Sequence, residues 1–320
     1  MSRQLAVSIV NYIHAEKTMA CINSLLAAHA FADDDCLLEI WVVDNFSSDY
    51  CNRFLENTLS SLGNVHLISL PKNLGFAAGH NKALAEIMEN NNFDFVWLLN
   101  NDVVVDEGAI KAHLATALEA PEVSMWGSTL LEADGQSVQC AGGCFYSPWL
   151  STFKQYGYGQ KIEKLFLEPV PRFDYIVGAS MFFPAATLSF LYGVKKHNAC
   201  KKHTWLNETF FLYFEELDIA QQLGDEAILG WCENARVIHL GGLSTGAGQG
   251  NISAVAVYNS TLSALKFTWL YYRTKILLIV PFRFLAKSLQ LLLIGKPSLI
   301  IKVIKAYYDF FTWLKRADTP

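Results

Sequence analysis

The chain has 320 residues, of which 52% are hydrophobic, so it can bury a full core and is not a disordered protein. Its net charge is only −5, but this charge is unevenly distributed along the chain. The seven cysteines are odd in number and show no Cys-x-x-Cys spacing, so we expect reduced thiols in a cytosolic protein rather than a zinc or disulfide framework.

The N-terminal third predicts alternating strands and helices. Its first apolar run is too short for a signal peptide and predicts a strand. The predicted elements are strand 5–10, helix 18–30, strand 37–43, helix 50–62 and strand 65–70. This alternation is typical of a parallel sheet with crossover helices.

Two of the predicted strands end in polar side chains. One runs through Trp41 to Asp44 and Asn45, and a later one runs from Val96 into Asn100, Asn101 and Asp102. In open α/β sheets ligands bind at the carboxyl ends of strands, and divalent cations take oxygen ligands from carboxylates and phosphates. The pattern predicts a metal-bound diphosphate, although an Asn/Asp turn is also a common way to leave a sheet.

A glycine-containing segment, residues 73–81, separates these strands and precedes a predicted helix at 82–89. Glycine lets the backbone approach a ligand, and a helix N-terminus favours an anion. The segment lacks Gly-Lys-Ser/Thr, so it is not a Walker loop, and ordinary loop structure is the alternative.

Beyond residue 120 the alternation fades. Residues 127–131 and 174–183 predict further strands, while 135–173 have no clear period and suit either an acceptor-facing loop region or a structural lid. The acids at 215, 216 and 218 follow an apolar stretch, which suits either a general base or the first turn of a helix. His239 ends a short apolar strand, where an ordinary core residue is the more common interpretation.

The C-terminal segment from Lys266 to Arg316 contains ten basic residues and one acid, a net charge of +9 that leaves −14 for the rest of the chain. Its aromatic and aliphatic residues recur at helical spacing, which favours amphipathic helices in an anionic membrane interface. A spanning helix is disfavoured because Arg283 and Lys287 interrupt the most apolar part. Helices that pack on the core are the alternative, and no nucleic-acid motif is present.

Six segments resemble, in order, the motifs of the family-2 inverting glycosyltransferases, and within that family the rhamnosyltransferase-like branch. They are Val-Asp-Asn-x-Ser-Ser-Asp (43–49), Asn-x-Gly-Phe-Ala-x-Gly-x-Asn (73–81), Leu-Asn-Asn-Asp (99–102), Gly-Ala (178–179), Tyr-x-Glu-Glu-x-Asp (213–218) and His-x-Gly-Gly-x-Ser (239–244). The resemblance implies an α/β fold of the GT-A type, Rossmann-like with a mostly parallel central sheet, plus C-terminal amphipathic helices.

The resemblance also implies a site for a nucleotide-diphosphate sugar donor, in which Asp44 binds the pyrimidine base. Its residues would be Asn11, Tyr12, Asp44, Asn45, Asn73, Gly75, Asn81, Asn100, Asn101, Asp102, Gly178 and Ala179.

Roles in metal binding and catalysis follow from the same resemblance. Asp102 and His239 would hold a divalent metal, Mn²⁺ or Mg²⁺. Glu216 is the expected base, with Glu215 and Asp218 as further catalytic candidates, and the choice between Glu215 and Glu216 stays open.

The implied division is a GT-A domain at 1–250, with a nucleotide-sugar half at 1–110 and an acceptor half at 111–250, followed by a basic helical tail at 251–320. The chain departs from the family at Ile13, where a second Asn is usual, and at Gln221 and Gln222, near which an Arg is often found.

The implied function is inverting, metal-dependent sugar transfer in cell-surface polysaccharide biosynthesis, such as that of lipopolysaccharide O-antigen. Rhamnose from dTDP-rhamnose is favoured, followed by UDP-linked galactose, glucose or N-acetylhexosamine. The acceptor would be a saccharide or a polyprenyl-linked saccharide. We expect a cytoplasmic protein, peripheral on the inner face of the cell membrane, with an anionic membrane surface but no nucleic acid as partner.

Two alternatives remain at this stage. A nucleotidyltransferase that makes activated sugars is expected to have a glycine-rich basic loop near the N-terminus, which residues 5–20 lack. A non-catalytic, membrane-docked carbohydrate-binding protein is expected to lose Asp102 or the carboxylates of 215–218, and this chain retains both.

Overall fold

The structure is a computed structural model that describes residues 2–32, 36–90, 92–165, 169–194, 204–241 and 252–317. Its strands are β1 (Arg3–Asn11), β2 (Cys36–Asp44), β3 (Val65–Ser69), β4 (Phe95–Asn100), β5 (Val103–Val105), β6 (Val123–Leu131), β7 (Val138–Ala141), β8 (Gly143–Ser147), β9 (Thr152–Gln155), β10 (Tyr175–Ile176), β11 (Ser180–Pro184) and β12 (Ile228–His239). Its α-helices are α1 (Ala15–Phe31), α2 (Asp49–Leu59), α3 (Phe76–Asn90), α4 (Ala109–Glu119), α5 (Ile162–Leu165), α6 (Ala185–Gly193), α7 (Glu215–Leu223), α8 (Ala254–Tyr271), α9 (Ile276–Leu293) and α10 (Ile300–Ala317).

The central sheet has the strand order β3-β2-β1-β4-β11-β6-β12-β5, with β7 paired to β6. Strands β3, β2, β1 and β4 are parallel, as the alternating pattern predicts, and β12 is parallel to β6. Strand β11 runs antiparallel between β4 and β6. A second, three-stranded antiparallel sheet has the order β10-β8-β9.

Both faces of the central sheet are covered by buried apolar side chains, as expected for a sheet with helices on both sides. Alternate residues of β4 show this, because Trp97 and Leu99 belong to one cluster and Val96 and Leu98 to the other. The near-continuous apolar runs of the sequence reflect this two-sided burial.

Three element predictions need correction. The predicted loop at 73–81 is largely helical, because α3 starts at Phe76 and the buried Ala77 packs as part of it. The predicted strand at 174–183 is two short strands in different sheets. The predicted loop region or lid at 135–173 contains regular elements, because its described residues include β7, β8, β9 and α5.

The C-terminal segment consists of helices, as predicted, but they differ in surroundings. Helix α8 packs against the segment before α7, where Ser263 and Lys266 donate hydrogen bonds to the carbonyls of Leu212 and Thr209, at 2.8 and 2.9 Å. The buried Phe267 joins the core below the sheet. Helices α9 and α10 form a separate small cluster with α8. Helix α8 is therefore continuous with the catalytic core.

By length and composition alone, one helical segment of the described residues could cross a membrane. It is Arg273–Leu293, with 21 residues, a mean hydropathy of 1.8 and 11% of its apolar window buried.

Candidate active site

The carboxyl ends of β1, β2 and β4 carry polar side chains that meet at one edge of the sheet, as predicted. Asn11 lies opposite Asp44 in the register of β1 and β2, and Val10 lies opposite Asn100 in that of β1 and β4. Parallel pairing is the cause, because it brings equivalent strand ends to the same edge. The site residues of three separate motifs are thus neighbours.

Asn11 is fully buried and connects these strand ends through its side-chain amide. Its Nδ2 donates to Asp44 Oδ1 at 2.7 Å, and its Oδ1 accepts from Thr18 Oγ1 at 2.8 Å and Asn101 Nδ2 at 3.3 Å. Asp44 also accepts from the Ser47 N–H at 3.2 Å. Because both ends of its side-chain amide are hydrogen-bonded within this network, Asn11 serves to position Asp44 and Asn101.

A cavity of about 260 Å³ lies above this network. The predicted donor residues in its lining are Tyr12, Asn45, Asn73, Gly75, Asn100, Asn101 and Asp102. The donor candidates outside the lining are Asn11, Asp44, Asn81, Gly178 and Ala179.

The loop that leads into α3 is held by side-chain amides. Asn45 Nδ2 donates to the Gly75 carbonyl at 3.0 Å, and Asn45 Oδ1 accepts from the Leu74 N–H at 2.8 Å. Asn73 Oδ1 accepts from the Gly75 N–H at 2.9 Å. These bonds give one loop conformation next to the cavity.

Asn81 has a structural position one turn into α3. Its side chain donates to the Leu206 carbonyl at 2.9 Å and to Glu208 Oε1 at 3.1 Å, and it accepts from the Leu206 N–H at 3.0 Å. It therefore joins α3 to the segment before α7.

Asp102 and His239 lie together at the cavity, with His239 Nε2 3.4 Å from Asp102 Oδ1. Strand β12 brings the histidine there, because its last residue pairs with Val103 of β5. His239 Nδ1 is 2.5 Å from Gln139 Oε1, an acceptor, so this contact orients the ring with Nε2 toward Asp102. The predicted motif continues to residue 244, and its part beyond residue 241 lies outside the described residues.

This donor set suits a divalent cation that takes further ligands from a diphosphate. Among the described residues, no group of three or more His, Cys, Asp or Glu side chains could hold a metal. Asp102 and His239 supply one carboxylate and one imidazole, and Mn²⁺ and Mg²⁺ commonly bind one or two carboxylates together with substrate phosphates.

The three candidate carboxylates occupy the first turn of α7, the helical start that was one of the two sequence interpretations. The chain reaches this turn through two consecutive left-handed residues, Tyr213 (φ 69°) and Phe214 (φ 75°). Within the helix, the rotation of about 100° per residue directs the three acids differently.

Only Glu216 faces a cavity, and burial raises the pKa of its carboxyl above the ordinary glutamate value. Glu215 is directed into the core, where its Oε1 has no partner among the described residues, and burial and the Glu216 charge raise its pKa well above normal. Asp218 is fully buried and accepts hydrogen bonds from Asn207 Nδ2 at 3.0 Å, from the Tyr271 hydroxyl at 2.8 Å and from Gln222. Of the three, Glu216 has the position that a general base requires.

Gly178 and Ala179 lie between β10 and β11. The Ala179 carbonyl accepts from the Asn100 N–H at 3.0 Å, so this turn is joined to the donor strand. A Cβ at Gly178 would lie 3.6 Å from the Glu216 carboxyl carbon. Ala179 is therefore hydrogen-bonded to the end of β4, and Gly178 packs next to the Glu216 carboxyl.

Both departures from the family pattern have visible structural consequences. Ile13 adopts a left-handed φ of 59°, which Asn tolerates better than a β-branched residue, and its N–H donates to Ser47 Oγ at 2.8 Å. Gln222 donates to the buried Asp218.

Several cavity residues were not identified from the sequence. Tyr213 lines both cavities, and Gln139 orients His239 across a separation of 100 residues. His80 lines the donor cavity, and burial lowers its pKa to about 3, so it is neutral. Arg283 and Lys287 line the larger cavity, although the sequence shows them only as cations of a basic tail. Two of them lie inside motifs of the sequence, Tyr213 at the start of Tyr-x-Glu-Glu-x-Asp and His80 within residues 73–81.

Comparisons with known proteins agree with this architecture. Residues 6–139 match the model of glycosyl transferase family 2. The low-salt glycan biosynthesis hexosyltransferase Agl10 of Haloferax volcanii is 24% identical over 242 residues, which cover 75% of this chain and 68% of that protein.

Among solved structures, TarS 1–349 of S. aureus in complex with UDP-GlcNAc has 16% identity and a TM-score of 0.52, over 96% of this chain and 80% of that one. GalNAc-T7 with UDP, GalNAc and Mn²⁺ has 12% identity and a TM-score of 0.55, over 85% of this chain, which spans about half (49%) of that protein's length. These likenesses show the GT-A fold. The family match over residues 6–139, together with the relative in Haloferax, supports a glycosyltransferase with a family-2 domain.

Proposed function

We propose that the chain is an inverting, metal-dependent glycosyltransferase that moves a sugar from a nucleoside-diphosphate donor to a saccharide or lipid-linked saccharide of the cell surface. The observation that carries this proposal is the pairing of Asp102 with His239 in one cavity, next to the cavity that contains Glu216. Neither a nucleotidyltransferase nor a non-catalytic binding protein requires a base in a second cavity.

In the proposed mechanism the residues of the two cavities have different roles. Asp102 and His239 would hold a divalent metal, which would supply positive charge to the departing diphosphate. Glu216 accepts the proton from the acceptor hydroxyl as that oxygen attacks the anomeric carbon from the face opposite the diphosphate. This single displacement forms the new glycosidic bond, breaks the bond to the diphosphate and inverts the anomeric centre.

From the resemblance, the donor base is proposed to be a uracil or thymine that binds to Asp44, a carboxylate at the end of β2 that lies outside the cavity lining in this structure. A carboxylate accepts a hydrogen bond from the N3–H that both bases carry, whereas cytosine has an acceptor at that position. dTDP-rhamnose stays the first candidate from the resemblance. UDP-linked hexoses and N-acetylhexosamines come next, since TarS and GalNAc-T7 were solved with UDP compounds.

The first prediction concerns Asp102→Asn, which keeps the shape of the side chain and removes its charge. We expect UDP or dTDP compounds to raise the thermal stability of the native protein, and to raise it further with Mn²⁺ or Mg²⁺. In the variant, the additional stabilisation by the metal should be lost. Thermal unfolding over a panel of nucleotides and nucleotide sugars, with and without EDTA, measures both. Asp225→Asn, at an exposed position, is the matched control and should behave as the native protein. Equal stabilisation of Asp102→Asn and native protein would contradict the metal site.

We further propose that the protein is cytoplasmic and docks on the inner face of the cell membrane. The side chains of α9 that face outward include Leu277 (83% exposed), Leu285 (67%) and Leu293 (78%). Helix α10 adds the exposed Ile301 and further lysines. An exposed apolar surface with cations around it suits an interface with anionic lipids.

A further inference from the structure

The larger cavity, of about 810 Å³, lies between the catalytic half and the C-terminal helices. Its wall contains Glu216 from α7, Ser151 from the connection between β8 and β9, and Arg283 and Lys287 from α9. Tyr213 separates it from the donor cavity, because this side chain lines both. An acceptor bound here has access to Glu216 and to the donor.

Among the described residues, two cations in this wall have no carboxylate partner. The Arg283 guanidinium donates to the Ser151 carbonyl, while its buried Nε has no hydrogen-bond partner in the described part of the chain, and Lys287 Nζ donates to Gln290 Oε1 at 3.0 Å. Among the described residues, the ion pairs found involve neither side chain.

Burial of these two charged side chains is energetically unfavourable when no anionic ligand is bound. Burial lowers the pKa of both side chains, and the charge of Arg283 further lowers that of Lys287. Cations removed from water are stabilised only by opposite charge or by hydrogen bonds to acceptors. A guanidinium four residues from an ammonium on one helix face matches a phosphate group, which offers several acceptor oxygens.

The same helix provides an apolar path out of the cavity. Phe282 and Ala286 belong to the cavity wall, yet Phe282 is 44% exposed at the surface. Leu285 and Leu289 are exposed next to them on α9. The cavity therefore opens beside the proposed membrane surface.

We propose that Arg283 and Lys287 bind the phosphate group of the acceptor, and that this acceptor is a saccharide carried on a lipid phosphate. Its hydrocarbon chain lies along the exposed leucines of α9, and its sugar extends from the phosphate to Glu216. This inference rests on the proposed function, because it takes Glu216 as the base that receives the acceptor's proton.

The test is binding of farnesyl phosphate to the full chain, measured by calorimetry in EDTA so that the donor cavity does not hold the phosphate through a metal. Inorganic phosphate and farnesol are the two partial probes. Lys287→Gln and Arg283→Gln are the variants, and Lys111→Gln and Arg53→Gln, at exposed positions outside the cavity wall and the C-terminal helices, are their matched controls. We expect the Kd for farnesyl phosphate to rise at least tenfold in the two cavity variants and to stay unchanged in the two controls.

Each outcome decides the proposal. Equal binding of farnesyl phosphate by native protein, cavity variants and controls would overturn it, as would binding of inorganic phosphate as tight as that of farnesyl phosphate. If Arg283→Gln unfolds because its anchor to Ser151 is lost, Lys287→Gln alone carries the test. UDP binding with Mn²⁺ reports the donor site separately. If the native protein binds UDP but not farnesyl phosphate, this inference alone is refuted. If it binds farnesyl phosphate but not UDP, the proposed donor function alone is refuted.

Discussion

At the residue scale, three carboxylates within one helical turn are distinguished by their surroundings. Asp218 accepts three hydrogen bonds in the core, Glu215 is directed into the apolar interior, and Glu216 faces the larger cavity. Burial raises the pKa of all three carboxyl groups, but only the one that faces a cavity can exchange its proton with an acceptor.

We predict that Glu216→Gln lowers kcat by about a hundred- to ten-thousand-fold, the usual contribution of a positioned general base. The affinity for the donor should change little, because Glu216 lies outside the donor cavity. Glu215→Gln is the matched control and should retain most of the activity. Transfer rates and calorimetric UDP binding measure the two quantities, and a loss of rate in Glu215→Gln as large as that in Glu216→Gln would show that the base is not Glu216 alone.

The raised pKa of Glu216 also predicts the pH dependence of transfer. A general base acts in its ionised form, so kcat should rise with pH as Glu216 loses its proton. An ordinary glutamate has a pKa of about 4.3. Because burial raises the pKa of the Glu216 carboxyl, the increase in kcat should occur at a higher pH than it would for an ordinary glutamate. A pH profile of kcat that is already flat from pH 5 upward would contradict this assignment.

At the element scale, the donor loop depends on its contact with the segment before α7. Gly75 has a φ of +87°, and a Cβ there would lie 2.2 Å from the Phe211 carbonyl oxygen. The Phe76 N–H donates to that same oxygen at 2.9 Å, where α3 begins. The glycine is therefore required both by its backbone conformation and by close packing.

We predict that Gly75→Ala lowers both thermal stability and donor affinity, because the loop must move away from Phe211. A left-handed conformation alone costs a residue other than glycine about 1–2 kcal/mol. Gly63→Ala is the control, since a Cβ at that surface turn would meet no atom within 4 Å. Thermal unfolding and UDP titration check both effects, and an unchanged Gly75→Ala protein would refute the close contact.

At the scale of the whole molecule, the C-terminal helices have two separate relations to the catalytic half. Helix α8 is part of the core, because Phe267 contacts Tyr146 and Phe214 and the Tyr271 hydroxyl binds Asp218. Helix α9 instead closes one side of the larger cavity and exposes leucines on its outer surface. The membrane-facing surface and the acceptor cavity are thus two sides of one helix.

We predict that the double variant Leu285→Gln/Leu289→Gln loses binding to anionic vesicles while keeping UDP binding. Each glutamine removes the transfer free energy of a leucine side chain, about 1.5–3 kcal/mol for full burial. Leu118→Gln, an exposed leucine on α4, is the matched control. Sedimentation with vesicles of anionic and of neutral lipid, at low and high salt, measures the effect. If the double variant sediments as the native protein does, α9 is not the docking surface.

The local chemistry of this protein was largely determined by its sequence. Apolar runs that end in Asp44 and in Asn100 to Asp102 predicted the parallel strands and their shared edge, because strand periodicity and turn-forming residues act over a few positions. The start of α7 at three acids was one of two interpretations that the sequence allowed.

Tertiary structure alone decided which of these residues share a site. It divides the polar residues predicted for the donor site into cavity-lining ones, such as Asn73, and buried positioning ones, such as Asn81. It also brings Gln139 to His239, and Arg283 and Lys287 into one cavity with Glu216. Such proximity depends on packing between distant segments, and burial, which moves the pKa of a carboxyl or an ammonium, exists only once those segments are packed together.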